Sequence, residues 1–337
     1  MQDQVAMDEI DRLIVTALQA SPRASWTQIG AVLGIDPVTG TRRWQRLHEA
    51  GVAWVTAYAG IPGPLALVEI DCAGDSLGVA AQLLHDPECA SIDVTSGGRD
   101  LLITVNTDDD VTMTDYLLTR LGRLDQVRAV RTHMVTRVIA EGAGWRLREL
   151  TVEQLTRLSP PGRGGTARLL ANLEPTRHGS RLTEEERRVL ACLAEDGRMP
   201  TAEIAARLDR PVRRMRDQIR TLLSERRVTL RTELQAAATE WPIYAWLFLR
   251  MPSRSLDTIS PQLGSLPEIR SVMQVAGPSN VIMAVWLREL TDVSRLEAAI
   301  ESKLRDVAIV DRSVVLRTTK RVGVLLGDDG RAAVRPR

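Results

Sequence analysis

Aromatic residues are scarce in this chain: one Phe and three Tyr accompany seven Trp among 337 residues. Any core must therefore be built from Ala, Val, Leu and Ile, which the 44% apolar content can supply. Cysteine is nearly absent. Cys72, Cys89 and Cys192 are far apart and form no Cys-x-x-Cys pair, which argues against a disulfide framework and fits a reducing compartment. The four histidines (His48, His85, His133, His178) show no i, i+4 metal spacing, so neither a metal nor a cofactor is expected. No apolar run approaches the ~18 residues of a membrane span. The opening MQDQVAMDEIDR is too acidic for a signal peptide, so a cytoplasmic protein that does not engage a membrane is expected. Charge of one sign is also missing: 44 basic and 43 acidic residues leave a net +1. A nucleic-acid surface could arise only by local clustering. Asp108-Asp109-Asp110 hints at a hard cation, but a polar cap before a helix is the better reading.

What the chain does contain is a repeat. Asp11-Arg12-Leu13-Ile14 aligns with Glu186-Arg187-Arg188-Val189 at an offset of 175, which then pairs Leu18 with Leu193, Arg23 with Arg198, Ile29 with Ile204 and Leu47 with Leu222. A second block at offset 180 pairs Pro87 with Pro267, Gly97 with Gly277, Val127 with Val307 and Arg137 with Arg317. Two gapless registers in the same order indicate a tandem duplication. Between the halves, the Pro- and Gly-rich run around Ser159–Gly165 reads as linker, flanked by helical patches near 151–158 and 167–173. The tail after Gly327 reads as frayed.

The first block of each half reads as three helices. In half one, Ile10, Leu13, Ile14, Ala17 and Leu18 fall at helical spacing after an Asp8 cap. Ser25 caps a second helix ending at Gly34, and Asp36-Pro37 starts a third that Gly51 ends. A short helix, a tight turn and a second helix form a helix-turn-helix. Its third helix turns Val38, Thr39, Thr41, Arg42, Arg43 and Arg46 outward, residue types that meet thymine methyls, guanine edges and phosphates. Half two presents Arg213, Arg214, Arg216 and Arg220 instead. It lacks the Ser/Asp cap and has Asp209 in place of Gly34, which leaves its docking geometry open. The second block reads as β-α-β-β-α-β in both halves, the plan of a ferredoxin-like sandwich, with half two placing a helix near 256–264. Helices cover one sheet face, and the other face calls for a second copy of the domain.

The fold class expected is thus α+β: helix-turn-helix domains plus βαββαβ sandwiches, in tandem. The expected domains are 4–54 and 181–232 (helix-turn-helix), 62–141 and 242–325 (sensing and assembly), and a linker at 142–180. The run Asp8-x-x-Asp11, Ile14, Leu18, Arg23, Ile29, Leu33-Gly34, Arg42-Arg43, Leu47 and Gly51-Val52, joined to such an α+β domain, resembles the Lrp/AsnC family. Ser96-Gly97-Gly98-Arg99-Asp100 resembles that family's Gly-x-x-Asp turn.

The resemblance implies winged-type heads, homo-oligomers formed through the sheet domains, and a small effector such as an amino acid near Gly97, Gly98 and Asp100. The plainer reading is that the glycines make a hairpin turn and Asp100 satisfies loop backbone. Half two has Asn280 in place of Asp100 and so loses that carboxylate. The expected function is a sequence-specific regulator binding double-stranded DNA, not an enzyme. The alternatives are a tetrapyrrole (sirohaem-type) decarboxylase of this architecture, or an assembly module that does not bind DNA. Against the enzyme, only His133 lies on an expected strand, and no carboxylate–histidine constellation is evident.

Overall fold

The computed structural model describes residues 6–60, 63–158, 181–258, 266–304 and 306–333. Its first unit starts with α1 (Glu9–Ala20), closed by a reciprocal capping box between Asp8 and Asp11. In α2 (Trp26–Leu33), Ser25 accepts from the Gln28 N–H, and Gly34 ends the helix at φ +71°. For α3 (Pro37–Glu49), the Asp36 carboxylate accepts from the N–H groups of Val38 and Thr39. Each cap satisfies donors that the first turn leaves orphaned. Ile14, Leu18, Ile29, Trp44 and Leu47 bury the shared apolar faces, and β1 (Ala53–Ala59) leaves the unit.

Residues 184–234 form a like unit: α7 (Glu184–Glu195), α8 (Thr201–Arg207), α9 (Val212–Ser224) and β6 (Val228–Leu234). Here α8 and α9 have no side-chain cap and follow Pro200 and Pro211. The turn nevertheless matches. Asp209 takes φ +53° where Gly34 takes +71°. The Arg210 N–H donates to Ala205 O at 2.9 Å, as Ile35 donates to Gly30 O at 3.1 Å. An Asp tolerates this left-handed geometry at a cost of about 1 kcal/mol, so the missing glycine does not remove the turn.

The two units are locked together. β1 and β6 form an antiparallel ribbon from Ala53↔Leu234 to Ala59↔Val228. Arg23 donates to the carbonyls of Gly197 (2.7 Å) and Met199 (3.0 Å), while Arg198 donates to those of Pro22 (2.6 Å) and Ala24 (3.1 Å). This reciprocity is the mark of a two-fold contact.

The remaining strands are β2 (Leu65–Cys72), β3 (Cys89–Thr95), β4 (Leu101–Asn106), β5 (Val127–Ala140), β7 (Ile243–Arg250), β8 (Ile269–Ala276), β9 (Val281–Leu287), β10 (Ala308–Arg321) and β11 (Val324–Leu325). They do not make two separate sandwiches. The hydrogen-bonded order β10-β3-β4-β2-β5-β8-β9-β7 closes through β7–β10 into an eight-stranded barrel, with β11 added on β10. The cause is the length of β5 and β10, 14 residues each. Their first halves pair within their own half of the chain and their second halves cross to the other. Closure covers the inner faces and consumes the strand edges.

Residues alternate across the wall. Leu67, Leu102, Trp246, Phe248, Met273 and Ile282 fill the interior. Val68, Ile70, Ile92 and Ile103 face outward and pack with residues of α4 (Ser76–Leu83) and of the helix that begins as α5 (Asp110–Asp115). On the other side Leu247, Leu249, Met283 and Val285 pack with α10 (Asp292–Lys303). The helix expected near 256–264 appears as a short 3-10 stretch, Ser253–Thr258, and 259–264 lie outside the described residues.

Two further expectations are corrected. Residues 142–158, assigned to the linker, are a packed strut. Trp145 is buried edge-on against Trp286, with ring centroids 4.8 Å apart, and its Nε1 donates to Pro267 O. α6 (Val152–Leu158) lies on the first unit, where Arg157 donates to Ala31 O at 3.0 Å. Its apolar Leu155 and Leu158 drive that docking. The linker proper, 159–180, and the helix expected at 167–173 lie outside the described residues. The tail after Gly327 is docked through residue 333. The Ala332 N–H donates to Gly51 O at 2.9 Å, and Gln235 Nε2 donates to Asp329 O at 2.7 Å. One backbone bond and one side-chain bond to distant parts of the chain outweigh the fraying expected of a terminus. Among the described residues, no helix is long and apolar enough to cross a membrane.

Candidate DNA-facing surface and barrel-end cluster

On α3, Val38 is 74% exposed and Arg42 is exposed without a partner among the described residues. Thr39 is half-buried, and Thr41 donates its hydroxyl back to Pro37 O at 2.8 Å, which leaves its methyl as the free group. The structure ties Arg43 and Arg46 to α1, with Arg46 still about half exposed. Arg43 donates to Asp8 (2.7 Å) and to the fully buried Asp11 (3.0 Å), and Arg46 also pairs with Asp11. These two arginines fasten α3 to α1, and the carboxylates of Asp8 and Asp11 raise the Arg43 pKa.

On α9, Arg213 and Arg216 are exposed and unpartnered among the described residues. Arg214 pairs with Glu185 at 3.1 Å and Arg220 with Asp217 at 2.8 Å, both in solvent. Arg213 and Arg214 line an open hollow with Pro211, Asp217, Gln218 and Thr221.

The turn between β3 and β4 holds Gly97 at φ +92°, beside Gly98. Asp100 points its carboxylate at the end of β2, where Oδ2 accepts from the Cys72 N–H at 2.6 Å. In half two, Asn280 does the same for Met251, accepting from its N–H at 3.0 Å and donating to its carbonyl at 2.8 Å. Tying the turn to a strand end is therefore a job that either side chain performs.

The residue of this turn that enters the barrel is one the sequence reading passed over. Arg99 is 5% exposed. Its Nε donates to Glu69 at 2.8 Å, its terminal nitrogens reach Asp311 and Ser313, and its guanidinium lies 4.1 Å over the Phe248 ring. His133 Nε2 meets the other Glu69 oxygen at 2.6 Å. Burial opposes the charged form of Glu69, but hydrogen bonds from His133 and Arg99 outweigh it and hold its pKa down at about 2. A carboxylate–histidine–arginine constellation therefore exists, contrary to expectation, built from residues 30 and 64 positions apart. Its signal was the alternation in β2, which puts Glu69 on the same face as Leu67.

A second buried cluster joins ribbon to barrel. Glu233, fully buried on β6, meets Arg270 of β8 at 2.5 Å, and it also pairs with Arg231 and lies 4.0 Å from Arg321 of β10. Burial drives the Arg270 pKa down to about 9. No group of three or more potential metal ligands exists among the described residues. Asp109 instead caps α5, accepting from the Thr112 N–H.

Residues 7–48 match the AsnC-type helix-turn-helix domain, and residues 65–145 match the Lrp/AsnC ligand binding domain. The chain is 26% identical over 143 residues to an uncharacterised HTH-type transcriptional regulator of Pyrococcus abyssi, a match covering 40% of this chain and 89% of that one. It is equally similar, 26% over 143 residues, to the HTH-type transcriptional regulator FL11 of Pyrococcus furiosus, covering 40% and 93%. Over nearly its whole length, 94% of this chain and 93% of the other, the fold matches a crystal structure of the siroheme decarboxylase NirDL, with a TM-score of 0.59 at 13% identity. That likeness is one of fold. It overturns the expectation that the chain is not an enzyme, because the architecture read as regulatory is also that of a decarboxylase. Residues 7–145 thus carry an AsnC-type helix-turn-helix followed by an Lrp/AsnC ligand-binding domain.

Proposed function

We propose that this chain is a sequence-specific DNA-binding transcriptional regulator, in which a tandem duplication has placed both heads and a complete barrel in one polypeptide. The observation that carries this reading is the AsnC-type helix-turn-helix at 7–48, with Val38 and Arg42 of α3 open to solvent. The duplication is supported by strand register. Val315↔Thr95, Arg317↔Val94 and Thr318↔Asp93 are mirrored 180 residues away by Val135↔Val275, Arg137↔Gln274 and Val138↔Met273, with the bulges at the same steps.

In this reading α3 and α9 enter successive major grooves. Val38, Thr39, Thr41 and Arg42, with Arg213, Arg214, Arg216 and Arg220, meet the duplex, while Arg43 and Arg46 position α3. A small effector such as an amino acid binds near Gly97, Gly98 and the free oxygen of Asp100. It shifts DNA affinity by favouring one barrel arrangement over another. Copies associate further through the helix outside the barrel, where Val111 and Leu118 stand exposed.

The test is a genome-wide pull-down of bound fragments with wild type, Arg42→Ala and Arg213→Ala/Arg216→Ala. A discrete motif weakened in the variants is expected, and no enrichment at any sequence overturns the reading. A second reading, decarboxylation of a tetrapyrrole, draws on the whole-chain fold and on the Glu69–His133–Arg99 constellation. Loss of carbon dioxide from sirohaem incubated with the purified protein, followed by mass spectrometry, would establish it.

A further inference from the structure

The two heads are held in a two-fold arrangement, yet they offer opposite chemistry. The reciprocal contacts of Arg23 and Arg198 and the β1–β6 ribbon fix α3 and α9 relative to each other. The positions they present to a duplex are therefore equivalent at the 175-residue offset. Val38 corresponds to Arg213, Thr39 to Arg214, Thr41 to Arg216 and Arg42 to Asp217. At each of these positions the character is inverted. Where α3 offers the uncharged Val38, Thr39 and Thr41, α9 offers guanidinium groups, and the unpartnered Arg42 of α3 is replaced by Asp217, which pairs with Arg220 on α9.

The ion pairs sharpen the contrast. Arg43 and Arg46 are ion-paired with Asp11, so Arg42 is the arginine of α3 without a carboxylate partner among the described residues. On α9, Arg213 and Arg216 are unpartnered among the described residues.

Resting on the DNA-binding reading, we infer that the operator of this chain is a directional, bipartite duplex: a thymine-bearing half-site under α3 and a guanine-bearing half-site under α9. Apolar side chains gain from the thymine C5 methyl. Arginine is satisfied bidentately by guanine O6 and N7 and by flanking phosphates. Asp217 shares one oxygen with Arg220, and its other oxygen suits a cytosine N4 amine rather than the guanine or phosphate that suits Arg42. No single half-site suits both faces, because the partner that pairs with one leaves the other with an unmet charge. A palindrome, which two identical heads would require, fits this chain with one head only.

The experiment is selection of duplexes by the intact chain from a random library. Fluorescence anisotropy then compares the selected composite site with the two palindromes built from its halves. The composite is expected to bind at least about tenfold tighter than either palindrome, the scale of one or two bidentate base contacts. Arg213→Ala/Arg216→Ala should lower affinity for the composite and flatten the dependence of log K on log salt by about 1 to 2, while base preference under α3 is kept. The variant Val38→Arg/Thr39→Arg/Thr41→Arg/Arg42→Asp gives α3 the face of α9, and it should prefer the palindrome of the α9 half-site. Equal binding of wild type to the composite and to both palindromes overturns the directional operator and leaves the DNA-binding reading standing. Failure to select any sequence overturns that reading itself.

Discussion

Asp11 shows how much one carboxylate can organise. It is the third residue of α1, it returns the capping bond to Asp8, and it anchors two arginines of α3. A capping box is visible in a sequence because its members stand three apart. The arginine pairs, 32 and 35 residues away, are not visible, so Arg43 and Arg46 read as DNA contacts. Glu69 is the converse case. Its partners arrive through strand pairing and a turn, and only the register of β2 with β5, Leu67 opposite His133, brings histidine to carboxylate. Because the folded-state pKa of Glu69 is depressed from 4.5 to about 2, its contribution is present above pH ~4.5 and lost as pH falls towards 2. Urea unfolding should show wild type losing on the order of 3 kcal/mol more than Glu69→Gln over that window. Parallel losses in the two proteins would show that the carboxylate is not held in its charged form.

Elements were read best where one face and one cap decide them. α1, α2 and α3 announce themselves through Asp8, Ser25, Gly34 and Asp36-Pro37, and the period-2 strands are equally plain. What could not be read was how strands from different halves pair, since nothing local distinguishes a strand that ends a sandwich from one that continues into a barrel. The strut at 142–158 and the docked tail escaped notice for a similar reason. Their contacts lie on surfaces that exist only after folding.

Two substitutions probe elements directly. Asp209→Gly removes the strain of a left-handed residue between α8 and α9. It should raise stability by up to ~1 kcal/mol, less the extra entropy of glycine in the unfolded chain. A fall in the melting temperature would count against that turn. Gly51→Ala meets a harder wall: φ is +67° and a Cβ would stand 2.4 Å from Ala332 O. It should destabilise by about 1 to 2 kcal/mol and expose residues 326–333 to protease. An unchanged digestion pattern would mean that the tail is held elsewhere.

At the scale of the whole molecule, the buried cluster around Glu233 joins the ribbon that carries the heads to the barrel wall. Removing one member of such a network leaves charge without a partner in a dry setting, so Glu233→Ala should cost about 3 to 5 kcal/mol, measured by denaturant unfolding. A cost below ~1 kcal/mol would mean that water or neighbouring groups already compensate Arg270.

Both structures that would otherwise need two molecules, the ribbon and the barrel, form within one chain. Their formation is first order and indifferent to dilution. Neither the ribbon nor the barrel is shared between chains that could exchange. When two alleles are expressed in the same cell, each head stays with the partner it was translated with. A crippled head therefore spoils only the head pair of its own chain and never pairs with the head of a sound one.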